Sequence, residues 1–191
     1  MDVLKPLERA GALLFVAAAL GCAAESTARV APTTLHGTDG RGHALPDPNA
    51  ETRYTVVLFL ARGCEYVDLH AERLRALTVR LRVRGVAFYG VDPEVGAELE
   101  VHRETSQRLG FPVLVDPGAR LAKRLGARSS GYAVVLDPSG GVHYRGAIDS
   151  DRATLNDDAE PYLSNALDDL LAGRPVRRAE TRALGCVLRT W

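Results

Sequence analysis

The chain has 191 residues, and its 24 lysine and arginine residues equal its 24 aspartate and glutamate residues in number. This length suits one ordinary domain with a buried core, and the charge balance provides no global field that would attract nucleic acid. Three cysteines are too few for a disulfide framework, so a packed core is expected to hold the fold.

The first part of the chain has the pattern of an export signal. An apolar run of 11 residues covers 10–20, which is too short to span a bilayer and typical of a signal-peptide core. The residues that follow, ending in Cys22, resemble the lipobox of bacterial lipoproteins, whose cysteine is acylated and begins the mature protein. This resemblance implies a signal peptide over 1–21, a lipid-anchored tether over 22–32 and a location facing the periplasm or the cell exterior. An ordinary secretory signal cut nearby is the alternative.

A central strand and the helix after it organise the domain. A hairpin is predicted over 33–45, where Asp-Gly provides the turn. The segment 54–60 is apolar with almost no alternation, as expected of a strand buried on both faces. Apolar residues then recur at helical spacing over 67–81. Cys64 lies where this strand passes into the helix N-terminus, a position that favours the thiolate.

The rest of the chain alternates between strands and helices. Strand, helix and strand at the beginning form a right-handed βαβ unit with a parallel pair, and the last two strands predict an antiparallel hairpin on one side of the sheet. The arginines of the first helix, Arg73 and Arg80 among them, are expected to form a solvated face. One α/β domain with a mixed sheet is predicted over 33–176, followed by a tail over 177–191. The elements predicted after the first helix are a strand over 86–91, a helix over 95–109, a short strand within 110–117, a short helix over 119–125, strands over 133–136 and 142–145, and a helix over 162–172.

Several stretches of the chain carry a resemblance by their order: 56–64, 84–91, 111–116, 121–122, 125–127, 134–137, Gly140, 144–146 and 181–186. In this order they resemble the thioredoxin fold, and within it the redoxin branch, which is AhpC/TSA-like and related to peroxiredoxins. The strand that opens with Phe-Pro-Val-Leu and ends in Asp is similar to the redoxin-type strand–helix insertion, and the tail is similar to the end of a periplasmic redoxin subgroup. The resemblance implies a thioredoxin-like fold with a mixed central sheet flanked by helices.

The chain departs from these families at positions that carry their chemistry. Thioredoxins have a second cysteine three residues after the first, where this chain has Val67. Peroxiredoxins have Thr or Ser three residues before the peroxidatic cysteine, where this chain has Ala61. The loop that faces the cysteine in these families, and therefore the substrate, matches Ser130, Gly131 and Tyr132. In this loop Gly131 replaces the cis-proline of thioredoxin-like relatives, and the arginine of peroxiredoxins is missing.

The candidate catalytic residues are Cys64, Arg62 and Cys186. Cys64 is the nucleophile, and Arg62 offsets the carboxylate of Glu65, which opposes ionisation of the thiol. Cys186 is either a resolving or disulfide partner for Cys64 or a small apolar residue in a docking tail. If Cys22 is acylated, Cys64 and Cys186 are the two thiols left in an exported chain, which favours their pairing.

Three function classes stay open. The first is a thiol–disulfide redox protein in which Cys64 attacks a disulfide or an oxidant of a protein or small-molecule partner. The second is a thioredoxin-fold binding or scaffold module in which Cys64 is a buried, inert thiol. The third is a peroxidase, which Ala61 and Gly131 make the weakest of the three. The five histidines show no metal spacing, so no metal and no cofactor is expected.

Overall fold

A mixed central sheet organises the part of the chain that the computed structural model describes, residues 29–190. The α/β fold expected from the sequence is confirmed, including the first hairpin, the parallel pair of the βαβ unit and the late antiparallel hairpin. The elements are β1 (Thr33–Gly37), β2 (Gly42–Leu45), β3 (Tyr54–Phe59), α1 (Glu65–Leu69), α2 (Ala71–Arg82), β4 (Val86–Asp92), α3 (Arg103–Leu109), β5 (Val113–Val115), α4 (Arg120–Leu125), β6 (Ala133–Leu136), β7 (Val142–Gly146) and α5 (Tyr162–Leu171). Within residues 29–190 the seven strands have the order β2-β1-β5-β4-β3-β6-β7.

The apolar run of β3 is explained by its position between two cores. Val56 and Leu58 face a core that contains the apolar sides of α2 and α5. Val57 and Phe59 face the opposite core, which contains α4 and the first hairpin. Because β3 lies between β4 and β6 and is covered on both faces, every position from 55 to 59 is buried. The chain therefore reaches the surface at the carboxyl end of β3, where Arg62 and Gly63 are exposed.

The predicted signal peptide and Cys22 lie outside the described residues. Val30, which lies in the predicted tether, is buried, and its N–H donates to the carbonyl of Gly140 at 2.9 Å. The folded unit therefore includes residues just before the predicted start at 33. Among the helices described, none is long and apolar enough to cross a membrane.

Two helix predictions need correction. The helix after Cys64 is interrupted at His70, whose φ of −87° and ψ of 2° separate α1 from α2. The helix predicted over 95–109 was wrong in its first half, because the structure has a 3₁₀ turn over Glu100–His102 and then α3. The N–H of Val95 donates to the carbonyl of Arg189 in the tail at 3.0 Å, and Gly96 has a positive φ of 73°. The helix therefore does not extend back to Val95, which contacts the tail instead.

Candidate redox site

Cys64 lies at the carboxyl edge of the sheet, in the segment that joins β3 to α1. Two backbone N–H groups just before it are held by side chains from other elements. The N–H of Ala61 donates to Oγ of Ser130 at 3.2 Å, and the N–H of Arg62 donates to Oε2 of Glu94 at 3.1 Å. Glu94 follows β4, which is parallel to β3, so both strands deliver their groups to the same edge. The segment before Cys64 is therefore fixed from both sides.

Cys64 is joined to Cys186 by a disulfide, with their Cα atoms 6.0 Å apart and a sequence separation of 122. Cys186 is therefore the disulfide partner of Cys64 and not merely a small apolar residue in a docking tail. The backbone N–H of Cys186 also lies 3.3 Å from Sγ of Cys64. The two partners differ in access, since Cys64 is 5% exposed whereas Cys186 is an exposed residue.

We name residues 179–189 the strap, because they cross the carboxyl edge of the sheet. The strap begins beside β7, where the N–H of Arg145 donates to the carbonyl of Ala179 and the N–H of Thr181 donates to that of Arg145. The hydroxyl of Thr181 lies 2.8 Å from that of Tyr144 and accepts from the N–H of Ala147 at 2.9 Å. The first part of the strap is thus an added edge of the sheet.

The second part of the strap runs antiparallel to the loop before β6. The N–H of Ser130 donates to the carbonyl of Cys186 at 2.7 Å, and the N–H of Leu188 donates to that of Arg128 at 3.0 Å. Leu188 is 1% exposed and belongs to the core beside α4. Backbone pairing and an apolar anchor therefore hold the strap on both sides of the disulfide.

Glu94 connects the strap to the segment before Cys64. Its Oε1 accepts from the backbone N–H of Arg189 at 3.1 Å and from Nε at 3.0 Å, and its Oε2 accepts from Nη2 at 3.0 Å. Oε2 also accepts the Arg62 N–H described above. Burial alone would raise the pKa of Glu94, but these hydrogen bonds and the guanidinium charge lower it below its ordinary value. Glu94 is therefore an anion that fixes both sides of the disulfide.

The loop predicted to face substrate is covered by the strap. Ser130 is fully buried, and Gly131 has a φ of 73°. A Cβ on Gly131 would lie 2.2 Å from Cε1 of Tyr66, and a Cβ on Gly185 would lie 2.2 Å from the carbonyl oxygen of Ser130. Tyr132 lies further along, where its ring is 6.4 Å from that of Phe59. The structure thus brings Ser130 and Gly131 to the disulfide, and glycine is required at Gly131 and Gly185 for close packing.

Arg62 contributes its backbone rather than its side chain. The residue is exposed, and its N–H is the group that contacts Glu94. Within residues 29–190 no ion pair involves the Arg62 guanidinium. The prediction that Arg62 acts as a charge beside the thiol therefore stays a prediction.

A buried polar network under α1 was missed from the sequence. His70 is fully buried, its Nδ1–H donates to the carbonyl of Tyr66 at 2.7 Å, and its Nε2–H donates to Oδ1 of Asp149 at 3.0 Å. Burial alone would lower the pKa of His70, but these two acceptors raise it. Arg73 also donates to Asp149, at 2.8 Å, and to Asp151, so the prediction that Arg73 is solvated was wrong. No local pattern marks this network, because its partners are far apart in sequence.

A small cavity of about 80 Å³ lies beside the disulfide. Arg62, Cys64, Asp68 and His102 are among its lining residues. His102 is buried, and its Nε2 lies 2.6 Å from Oδ2 of Asp92, which is also buried. In the part of the chain that the structure describes, no group of three or more His, Cys, Asp or Glu residues could hold a metal ion.

Several solved structures have a fold similar to that of this chain. An uncharacterised conserved protein from Geobacillus kaustophilus has 26% identity and a TM-score of 0.75, over 85% of this chain and 90% of that one. The pneumococcal exposed lipoprotein thioredoxin from Streptococcus pneumoniae has 18% identity and a TM-score of 0.55, over 75% and 99%. A secreted disulfide oxidoreductase of Mycobacterium tuberculosis has 15% identity and a TM-score of 0.52, over 74% and 95%. The last two show the fold alone.

The chain also matches a family model over the whole of the described sheet. No curated protein matches the chain. Residues 27–148, which include β1 to β7 and Cys64, match the AhpC/TSA family. That match covers more than half of the sequence, and the thioredoxin-like fold agrees with it. The chain therefore belongs to the AhpC/TSA family and has the thioredoxin-like fold expected of a redoxin.

Proposed function

We propose that this protein is an exported thiol–disulfide oxidoreductase whose redox pair is Cys64 and Cys186. The observation that carries the proposal is the disulfide itself, which joins a strand-end cysteine at the carboxyl edge of a thioredoxin-like sheet to an exposed cysteine of the strap. A disulfide with an exposed partner can be attacked by an external thiolate. The pair thus substitutes, across 122 residues, for the second cysteine that the loop lacks.

The proposed cycle exchanges two electrons with a partner. In the reductive direction two partner thiolates become one partner disulfide, and the Cys64–Cys186 bond becomes two protein thiolates, which take up protons from water. In the oxidative direction the reduced pair is oxidised by a partner disulfide, which is reduced to two thiols. Protein and small-molecule thiols or disulfides are therefore the proposed partners, and no cofactor enters the cycle.

Peroxidase chemistry has less support at this site. Ala61 has no hydroxyl, and its backbone N–H is already donated to Ser130. Gly131 has no guanidinium and is packed against Tyr66. Losing one oriented donor typically costs about 100- to 1000-fold in rate. We therefore place disulfide exchange ahead of peroxide reduction.

The export part of the proposal depends on the N-terminal sequence. The apolar run over 10–20 and the cysteine at Cys22 support a lipoprotein signal, and a stable disulfide suits an oxidising compartment. A pneumococcal exposed lipoprotein is among the proteins with a similar fold. Native protein should carry a lipid on Cys22, detected as an added acyl mass on the first mature residue, and a free Cys22 would contradict the anchor.

A redox titration tests the oxidoreductase proposal against a second candidate, a binding module in which the disulfide is purely structural. That candidate is favoured by the many noncovalent contacts that hold the strap. We expect the pair to equilibrate with glutathione or dithiothreitol buffers in a two-electron transition, with a midpoint above about −300 mV and an unchanged far-ultraviolet spectrum. Peptide mapping should assign the transition to Cys64 and Cys186. If the disulfide is reduced only when the protein unfolds, it is a structural disulfide and the oxidoreductase proposal is wrong.

A further inference from the structure

We propose that the external thiolate attacks Cys186 rather than Cys64, so that the strap carries the mixed disulfide and Cys64 is the leaving group. This inference rests on the proposed function and adds a direction to it. It reverses the roles expected from the sequence, in which Cys64 was the nucleophile and Cys186 the resolving thiol. The argument depends on which sulfur an incoming thiolate can reach.

Access differs strongly between the two ends of the disulfide. Cys64 is 5% exposed and belongs to the core that also contains Tyr66 and Val67. Cys186 is exposed, and so is the next residue, Val187, at 70%. In disulfide exchange the incoming sulfur approaches in line with the bond that breaks, from the side opposite the leaving sulfur, and the rate depends on that access. Cys64 is therefore almost closed to an incoming thiol, whereas Cys186 lies at the surface.

The cavity beside Cys64 does not remove this difference. Its volume is only about 80 Å³. A peptide thiol, or glutathione with its three residues, is much larger than this space. A partner of that size therefore does not fit into the cavity.

The surroundings also suit Cys64 as the sulfur that leaves. The backbone N–H of Cys186 lies 3.3 Å from Sγ of Cys64 and can donate to the thiolate as it forms. Leu188 and the ion pair of Arg189 with Glu94 hold the strap independently of the disulfide. Cys186 therefore stays at the surface after the first step, with its new partner attached.

The steps balance as two successive exchanges. The first partner thiolate forms a bond to Sγ of Cys186, the bond between Cys186 and Cys64 breaks, and Cys64 leaves with the electron pair. A second partner thiolate then attacks the partner sulfur of the mixed disulfide and expels Cys186 as a thiolate. The partner leaves as a disulfide, and the protein has gained two electrons. In the opposite direction Cys186 attacks a partner disulfide, and Cys64 resolves it.

Rapid quenching distinguishes the two directions. Oxidised protein is mixed with glutathione in one arm and with a ten-residue cysteine peptide in the other, and free thiols are then trapped with a large excess of iodoacetamide at pH 8. We expect the partner on Cys186 and the carbamidomethyl group on Cys64, in at least about tenfold excess over the reverse pattern. The reverse pattern would overturn the inference and leave the proposed function intact. If neither thiol exchanges with the folded protein, the proposed function fails as well.

Single-cysteine variants give an independent measurement. With glutathione disulfide, Cys186 in the Cys64→Ser variant should form a mixed disulfide at least about tenfold faster, per thiolate, than Cys64 in the Cys186→Ser variant. Adding Glu94→Gln to the Cys186→Ser variant should loosen the strap and accelerate the reaction of Cys64. Glu160→Gln is the matched control, since Glu160 pairs with Arg178 at an exposed site away from the disulfide. Equal rates in both single-cysteine proteins would contradict the inference.

Discussion

Gly131 is the residue on which the packing around the disulfide depends most closely. It has a φ of 73°, and the ring of Tyr66 occupies the space that any side chain would need. The hydroxyl of Tyr66 is buried without a hydrogen-bond partner among residues 29–190, and burial with the nearby Asp149 carboxylate raises its pKa. Tyr66 is thus held by packing against Gly131 and Gly185 rather than by its hydroxyl. Its position therefore depends on the absence of side chains around it.

We expect Gly131→Ala to destabilise the protein by about 2–4 kcal/mol, since it adds a positive-φ penalty and an overpacked contact. Gly126→Ala is the matched control, because Gly126 has the same φ of 73° and no heavy atom within 4 Å of the added Cβ. The control should lose only about 1–2 kcal/mol. Urea unfolding of both variants measures the difference. Equal losses would show that the contact with Tyr66 has no energetic effect.

At the scale of elements, the junction of α1 and α2 depends on His70. Both of its ring nitrogens face acceptors, the Tyr66 carbonyl and the Asp149 carboxylate, so the site favours the doubly protonated ring. The same carboxylate accepts from Arg73 of α2. Asp149 lies after β7, so the network connects the helix that begins beside Cys64 to the far edge of the sheet. The stabilisation that this network gives to the folded state should depend on pH.

The raised pKa of His70 determines the sign of this dependence. The folded state binds the imidazolium more tightly than the unfolded state, so the stabilisation is complete below the unfolded pKa of about 6.5 and is lost as pH rises through the folded pKa. We expect His70→Gln to cost about 1–3 kcal/mol at pH 5.5 and less at higher pH. Unfolding free energies measured from pH 5 to 9 test this.

His143→Gln is the control for that series. His143 pairs with Asp137 at a part-exposed site, where an ion pair contributes little. We expect its effect to be well under that of His70→Gln at pH 5.5. A difference between native protein and His70→Gln that grows with pH would contradict the imidazolium assignment.

The sequence predicted the elements well where one segment determines its own structure. The run over 54–60 could be assigned to a buried strand, and Cys64 to the junction after it, from local pattern alone. The return of the tail toward Cys64 could be expected, but its contacts could not, because the contact of Arg189 with Glu94 joins residues 95 apart in the chain. The neighbouring hydrogen bond from Val95 to Arg189 explains the wrong helix at 95, since no local pattern shows that Val95 pairs with the strap. Long-range partners, rather than propensity, decided these cases.

At the scale of the whole molecule, the disulfide closes a long loop that contains four of the seven strands described here, β4 to β7. A loop of 122 residues would stabilise the fold by about 4–5 kcal/mol in the chain-entropy model, although measured gains are often smaller. We expect Cys186→Ser to lower the free energy of unfolding by up to this amount and to leave the far-ultraviolet spectrum of the folded state unchanged. Reduced native protein is the matched control and should show the same loss. A collapse of secondary structure in the variant would contradict an independently folded domain.

The separation of the two cysteines also has a consequence for biogenesis. Cys186 is synthesised 122 residues after Cys64, when all the strands described here have already been made. Until then Cys64 cannot form its native disulfide, and Cys22 is the other cysteine of the sequence with which it could pair wrongly. Native pairing of Cys64 can therefore occur only after every strand of the described sheet has been synthesised.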